Sequence, residues 1–313
     1  MFDKIITISI NPALDVTLWI ETMDFSEPNQ TTREEIYAAG KSINVSRVLA
    51  SLQTPSVSLG ICGDDNSKLF ATLLQKDGVK FDFVTIPGYI RENLTLIIPD
   101  GRVLKINRTG FPVPSDAMRR LKIRIEEEIE GCSSVLLVFA GSLPPNITPE
   151  GYKAFILSFR RDGVFVALDT AVFKIQDIEE IRPFIIKPNL VEFRQMCGSD
   201  LRTEQSIIKL SKTLSNYVDH VLVSLGAKGL IYIGTDCGYR LSTPAVKVQS
   251  TIGAGDTTLA GYIHSLQRGK SPQEAITYAV AAGSASVMLE GTDIVTPNQV
   301  EAQIGKVTVK TIR

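Results

Sequence analysis

Short apolar runs recur along the chain and alternate with stretches whose apolar residues fall at helical spacing. "KIITISI" reads as a strand, and "INVSRVLASLQ" as a helix aligning Ile43, Val45, Val48, Leu49 and Leu52. "SVSLGICG" and "SKLFATLLQKDG" repeat the pair, with the helix stopping at Gly78. The rhythm continues through "SVLLVFAG", "ITPEGYKAFILSFRRDG", "VFVALDT", "IIKPN", "LVEFRQMCG", "EQSIIKLSKTLSNYV", "HVLVSLG" and "GLIYIG". Strand runs without clean polar alternation belong in a parallel sheet covered by helices on both faces. The pattern therefore predicts a three-layer α/β/α fold with a mainly parallel, doubly wound sheet, as a single domain over residues 1–313.

Residues 15–39 and 89–111 break the rhythm. In "RENLTLIIPDGRVLKI" polar and apolar residues alternate about a turn at Pro99–Gly101, which is hairpin patterning with one exposed face. The two segments predict a small β-sheet lid whose outer face carries Ile90, Leu94, Leu96 or their alternates. An apolar layer of that kind does not stand exposed alone, so a homodimer pairing two lids about a two-fold axis is expected.

Composition narrows the function. In 313 residues the formal net charge is −1, which gives no footprint for bulk nucleic-acid or membrane-surface binding. No apolar run approaches the roughly 18 residues of a membrane span, and "MFDKIITISINPALD" reads as a first strand rather than a signal peptide, so a cytoplasmic protein is expected. Cys62, Cys132, Cys197 and Cys237 form no CxxC pair and read as free thiols. Two histidines, His220 and His264, leave little from which to build a zinc site or a serine–histidine triad.

The candidate chemistry lies in "STIGAGDTTLAGYIHSLQRG", Ser250 to Gly269. It reads as the tail of a strand up to Ile252 and as a helix from Ala254, with Leu259, Tyr262, Ile263 and Leu266 on one face. Backbone N–H groups at such a helix start lack intrahelical partners and, with the helix dipole, form an anion hole that glycine lets a phosphate approach closely. Asp256 in that turn is either a first-turn acid favouring the dipole or a base that removes a proton from an attacking hydroxyl. Two other phosphate patterns fail. "GKS" at Gly40–Ser42 has Glu35 where a P-loop needs glycine and follows "EEIYAA", which lacks the apolar run of a buried strand. "GAGDTT" has Thr258 at the third small position of a dinucleotide fingerprint, and no strand-closing acid follows.

Five ordered segments, "AAGKSINVSRVLASL", "FAGSLPPNITPEGY", "KPNLVEF", "VSLGAKGLIYI" and "STIGAGDTTLAGYI", resemble the motifs of the ribokinase-like (PfkB) carbohydrate kinases over essentially the whole chain. Within that family, "AAGK-INV" with "RENLTL" is most similar to 1-phosphofructokinases and tagatose-6-phosphate kinases. The resemblance implies ATP as phosphoryl donor, a ketohexose monophosphate as acceptor, and Mg²⁺. It implies Asp256 as catalytic base, with Gly253, Ala254 and Gly255 as the anion hole. Lys187, Asn189 and the turn Ser224, Leu225, Gly226, Ala227, Lys228 and Gly229 would hold the nucleotide, and Glu192 the Mg²⁺, through water. Asp15, Gly40, Lys41 and Asn44 would hold sugar hydroxyls. For the acceptor phosphate the candidate cations are Lys41 and Arg91, then Lys105 and Arg108, with Ser142 as a donor; Asn93 shares a strand face with Arg91.

The sequence departs from the family pattern at three positions. Ser42 stands where glycine is usual and would tighten the sugar pocket. Asn146 replaces a glycine, and Ser286 replaces an asparagine and would alter an adenine-side contact. A catalytically silent sugar- or nucleotide-binding regulator is the alternative from another class.

Overall fold

The computed structural model describes every residue except 99–101, 199–200, 292 and 313, so the turn expected at Pro99–Gly101 lies outside the described residues. Along the chain, β1 (Lys4–Ser9) is followed by β2 (Ala13–Ile20), β3 (Thr31–Ala39), α1 (Lys41–Ser51), β4 (Val57–Gly63), α2 (Ser67–Lys76) and β5 (Lys80–Ile86). Then come β6 (Arg91–Ile97), β7 (Val103–Asn107), α3 (Ser115–Ile129), β8 (Val135–Ala140), α4 (Pro149–Leu157), β9 (Val164–Asp169), α5 (Ile175–Ile181) and β10 (Ile185–Ile186). The chain ends with α6 (Leu190–Cys197), α7 (Glu204–Leu214), β11 (His220–Ser224), β12 (Leu230–Gly234), β13 (Gly238–Ser242), α8 (Ala254–Gln267), α9 (Pro272–Ser286), α10 (Pro297–Ile304) and β14 (Thr308–Thr311).

The large sheet has the order β14-β13-β12-β11-β10-β9-β8-β1-β4-β5. From β11 to β5 every pairing is parallel; β12, β13 and β14 add an antiparallel edge. Burial on both faces explains why its central strands, such as β8 (VLLVFA), lack polar alternation. Ile6 and Ile8 of β1 pack on one side with Ile125 of α3, Ile156 of α4 and Phe193 of α6. Ile5, one residue away, packs on the other side with Val45 of α1, Leu259 of α8 and Ala279 of α9. Two cores separated by one sheet make the three layers.

The second sheet has the order β3-β2-β6-β7 and is the expected lid. Two hairpins, β2–β3 and β6–β7, meet through parallel pairing of β2 with β6, with Asp15 opposite Asn93. "EEIYAA", unlike a buried P-loop strand, forms most of the half-exposed β3. Strand alternation sorts the lid's faces. Asp15, Asn93 and Asn107 lie in cross-strand register on one face, while Val16, Leu94 and Ile106 share the other.

Two local expectations are corrected. Ile90 is not on the lid's outer face: it precedes β6 and is buried with Leu14, Ile43 and Phe70 at the lid's foot. Ser250–Ile252 is not the tail of a strand. The N–H groups of Gln249 and Ser250 donate instead to the carbonyl of Val287, at the end of α9 (2.7 and 3.3 Å). A segment tied to a helix end in this way has no sheet ladder to join, whatever its β-branched residues favour.

Gly229, which joins the turn after β11 to β12, has φ +100, and a Cβ built there would stand 1.9 Å from the Leu241 carbonyl oxygen on neighbouring β13. Gly229→Ala is therefore expected to lose roughly 1–3 kcal/mol of stability, seen as a lowered urea midpoint. An unchanged midpoint would mean that the β12–β13 edge yields freely.

Candidate active site

The carboxyl ends of β1, β8, β9, β10 and β11 converge on one edge of the large sheet, where open α/β sheets place their ligand crevice. A cleft of about 280 Å³ opens there between the strand ends, the turn before α8 and the polar face of the lid. Asp15, Gly40, Lys41, Asn44, Arg91, Asn93, Ser142, Gly253 and Asp256 line it together, although they come from five separate stretches of the chain. Ser9, Asn11, Asn107 and Gly141 also line it, and sequence reasoning missed them. Asn107 was findable from hairpin register, since it pairs with Asn93. Lys105 and Arg108 do not reach the cleft wall. Lys105 pairs with Thr95, one step further along the lid, and the exposed Arg108 meets Glu92 Oε2 at 3.3 Å.

At the inner end, Gly253 caps α8 in the left-handed region (φ 73), and the first intrahelical bond runs from the Thr257 N–H to the Gly253 carbonyl at 2.8 Å. The N–H groups of Ala254, Gly255 and Asp256 precede that bond and have no carbonyl a turn behind them within the helix. A Cβ on Gly255 would come within 3.1 Å of Lys187 Nζ, so the absent side chain is what seats this ammonium against the turn.

Around the turn sits a cluster of buried charge. Lys41 Nζ lies 3.0 Å from Asp169 Oδ1 and 2.9 Å from Glu192 Oε1; Lys187 Nζ lies 3.0 Å from Asp169 Oδ2. Asp169 was not among the sequence candidates. Burial opposes its charge, but the ammonium groups of Lys187 and Lys41 outweigh that and hold its carboxyl below the ordinary carboxylate range. For Lys41 burial likewise opposes the charge, and Asp169, Glu192 and Asp256 override it and raise the ammonium's pKa. Asp256 goes the other way. Burial, and then the negative charge of Asp169, push its carboxyl up to about 7, against the amide of Asn44 and the charges of Lys41 and Lys187. Asn44 Nδ2 donates to Asp256 Oδ2 at 2.8 Å.

At the outer end, Asn93 Nδ2 donates to Asp15 Oδ1 (2.8 Å), and burial raises the Asp15 pKa. The Arg91 guanidinium donates to the carbonyls of Arg108 (2.9 Å) and Asn11 (3.2 Å) and to Ser142 Oγ (3.3 Å), which also accepts from Asn11 Nδ2 at 3.2 Å. Along the cleft four buried polar atoms have no partner: the side-chain oxygens Oδ1 of Asn11, Asn44 and Asn93, and Arg91 Nε. Buried polar groups are normally satisfied, so these mark where a hydroxyl-rich, anionic ligand would complete the set.

On the other side of Lys187, Asn189 forms a bridge with Ser224, placing the start of α6 beside the turn Ser224–Gly229. Ser224 Oγ is buried without a partner there. Asn189 Oδ1 caps α6 by accepting from the N–H groups of Val191 and Glu192, and Glu192 Oε2 accepts from the Asn189 N–H at 2.9 Å. Among the described residues no three potential ligands cluster to hold a metal ion. Glu192 already faces Lys41 and the Asn189 N–H, so this donor set fits Mg²⁺ only through water. The three departures point away from the cleft. Ser42 Oγ lies within hydrogen-bond reach of the Ile8 and Ala140 carbonyls (2.6 and 2.9 Å), linking the ends of β1 and β8 beneath the cleft rather than narrowing it. Asn146 bonds both backbone groups of Val113, and Ser286 Oγ donates back to Gly283 within α9.

A pKa of about 7 for Asp256 has a thermodynamic sign. The native carboxyl keeps a proton that the unfolded chain releases near pH 4, so stability declines as pH rises from about 4 to about 7 and levels off above. Asp256→Asn removes that decline. The variant is expected to exceed the parent protein's stability at pH 8 by on the order of 4 kcal/mol and to match it near pH 4, by urea unfolding at both pH values. Equal stability at pH 8 would mean that the carboxyl is not strained by its surroundings.

Residues 7–299 match the pfkB family of carbohydrate kinases. The chain is 29% identical over 286 residues to 1-phosphofructokinase of Borreliella burgdorferi, covering 91% of this chain and 92% of that one. It is 27% identical over 312 residues to 1-phosphofructokinase of Escherichia coli, covering 99% of both. Its fold superimposes on phosphofructokinase-2 of Escherichia coli in complex with substrates and products with a TM-score of 0.89, at 24% identity, over 96% of this chain and 98% of that one. With a family match across nearly its whole length, the chain belongs to the pfkB family of carbohydrate kinases.

Proposed function

We propose that this protein transfers the γ-phosphoryl group of ATP to fructose 1-phosphate, giving fructose 1,6-bisphosphate and ADP. The observation that carries the reading is the two-ended cleft. Asp256 and the open N–H groups of α8 stand at one end, Arg91 and Ser142 at the other, and unpartnered amide oxygens lie between. The acceptor hydroxyl sits against Asp256. As its oxygen bonds to the γ-phosphorus, its proton passes to the Asp256 carboxylate, the bond from γ-phosphorus to the bridging oxygen breaks, and ADP leaves with that electron pair. The N–H groups of Ala254, Gly255 and Asp256, with Lys41 and Lys187, stabilise the charge that develops on the transferring group. Asp15, Asn44 and Asn93 orient the sugar hydroxyls. Asn189 and the Ser224–Gly229 turn hold the nucleotide. Glu192 would hold Mg²⁺ through water, and the ion, when bound, would supply charge neutralisation to the nucleotide phosphates. Four free cysteines suit the reducing cytoplasm in which we place the enzyme.

Because Asp256 must be ionised to accept the proton, kcat/KM is expected to fall tenfold per pH unit below about 7. A substrate panel of fructose 1-phosphate, fructose 6-phosphate, tagatose 6-phosphate and free fructose, assayed by ADP release, tests the acceptor. Turnover on free fructose equal to that on the phosphosugars would overturn the assignment. Arg91→Ala is expected to lower kcat/KM for the phosphosugar about ten- to a hundredfold, the effect of losing a charge-assisted contact of about 1.5–3 kcal/mol, with the KM for ATP unchanged. A defect confined to ATP would remove Arg91 from the acceptor end.

The lid's outer face supports the homodimer expected from its patterning. Leu94 and Leu96 continue into Ile106 and Leu104 across the β6–β7 ladder, and both of the latter are exposed. The similar phosphofructokinase-2 of Escherichia coli has a tetrameric inhibited form. Replacing Leu104 and Ile106 together by aspartate is expected to convert a dimer to a monomer in sedimentation velocity. A fully active parent protein that sediments only as a monomer at about micromolar concentration, within the range of specific dimers, would refute the pairing.

A further inference from the structure

Asp169 ends β9 with its side chain fully out of solvent, yet it carries no motif signature and none of its atoms lines the acceptor cleft. Its two oxygens each hold an ammonium at 3.0 Å: Lys41 from the first turn of α1 and Lys187 from just past β10. The two lysines are unequal. Lys41 has Glu192 as a second partner at 2.9 Å, whereas buried Lys187 has Asp169 as its only ion-pair partner among the described residues. A buried carboxylate holding one buried and one half-buried cation is costly to assemble unless both cations are needed there, because desolvation offsets much of the attraction. Both cations border the anion turn: Lys187 Nζ touches the space over Gly255, and Lys41 lines the cleft beside Asp256.

We propose that Asp169 is a positioning residue: its two carboxylate oxygens fix Lys41 and Lys187 on either side of the transferring phosphoryl group. Because both lysines also border the turn that carries Asp256, the negative charge of Asp169 is held close enough to strengthen that carboxylate as a base. The groups facing Asp256 are Asp169 from β9, Lys41 and Asn44 from α1, and Lys187; Glu192 of α6 acts through Lys41. Of these, Asp169 alone among the direct neighbours raises the proton affinity of Asp256; the lysines and the Asn44 amide lower it. The kinetic half of the proposal rests on Asp256 being the base, as read above.

The test compares the parent protein with Asp169→Asn by two readouts. The first is the titration of Asp256 in the unliganded protein, followed by carboxyl ¹³C NMR of labelled aspartate and identified by the signal lost in Asp256→Asn. The second is the pH profile of kcat/KM. We expect the Asp256 titration to drop by about one pH unit or more, the acid limb of the profile to move down with it, and kcat to fall about a hundredfold as the lysines lose their alignment. Asp169→Glu, which keeps the charge on a longer arm, should hold the titration near that of the parent while still lowering kcat. Where loss of the only partner of Lys187 unfolds Asp169→Asn, the same comparison is made between Lys187→Met and Lys187→Met with Asp169→Asn, since Lys41 retains Glu192 in both. An Asp256 titration that does not move, or a fall in kcat with an unmoved profile, overturns the proposal. A titration that moves while the profile stays fixed upholds the charge effect of Asp169 and instead removes Asp256 as the base.

Discussion

The site depends on one arrangement of buried charge, two ammonium groups and two carboxylates paired about the end of β9, with a third carboxyl, Asp256, beside them. Lys41, Lys187, Asp169 and Glu192 sum to zero. An ionised Asp256 therefore leaves the cluster with an uncompensated negative charge away from water, and its raised proton affinity is the direct response. The same imbalance suits a base. A carboxylate whose charge is poorly solvated gains most by accepting a proton, and a pKa near 7 lets it be ionised at neutral pH and still take the proton readily.

Such a cluster requires a scaffold that brings distant backbone together without leaving polar groups stranded. The parallel sheet does so by ending several strands on one edge, each followed by a loop that is free to present a side chain. Asp169 closes β9, Lys187 follows β10 directly, and Ser224 closes β11. Lys41 arrives differently, from a helix that begins where lid strand β3 stops, with Gly40 at the junction. The lid and the phosphate end of the cleft are thus covalent neighbours, and a movement of β3 acts on the residue that joins Asp169 to Glu192.

What the sequence disclosed follows the range of the interactions involved. The α8 turn was legible because its chemistry is local: glycine, glycine, aspartate and a helix start within a few residues. The lid was legible because alternation on β2, β6 and β7 records which face is wet, and Asp15 with Asn93 emerged as a hydrogen-bonded pair on that face. Asp169 was not legible, since "VFVALDT" ends as any buried strand ends, and its meaning comes from two lysines that only the sheet topology delivers to it. Lys105 and Arg108 stand outside the cleft lining for the converse reason. Their charge and hairpin location fit a phosphate, but register carries one along the lid, and the other is held by Glu92 at the surface. Ser250–Ile252 shows local propensity yielding to tertiary hydrogen bonding, with the Val287 carbonyl taking the donors a strand would need.

The outer end of the cleft differs in kind from the inner. There a single guanidinium is tied down by two backbone carbonyls and a serine, so its orientation is set before any ligand arrives. Ordering a free arginine side chain costs up to about 2 kcal/mol of rotamer entropy on binding, and a tethered one has already met that cost in folding. Burial also weakens its hold on the proton relative to an exposed arginine, with the charge of Asp15 partly restoring it. A cation fixed in place and poorly solvated favours a ligand anion that fits its geometry over water, while a neutral hydroxymethyl group would offer the unpartnered Arg91 Nε only an uncharged acceptor. Discrimination between a phosphosugar and a free sugar thus arises from a charge-assisted contact whose ordering cost was met in folding.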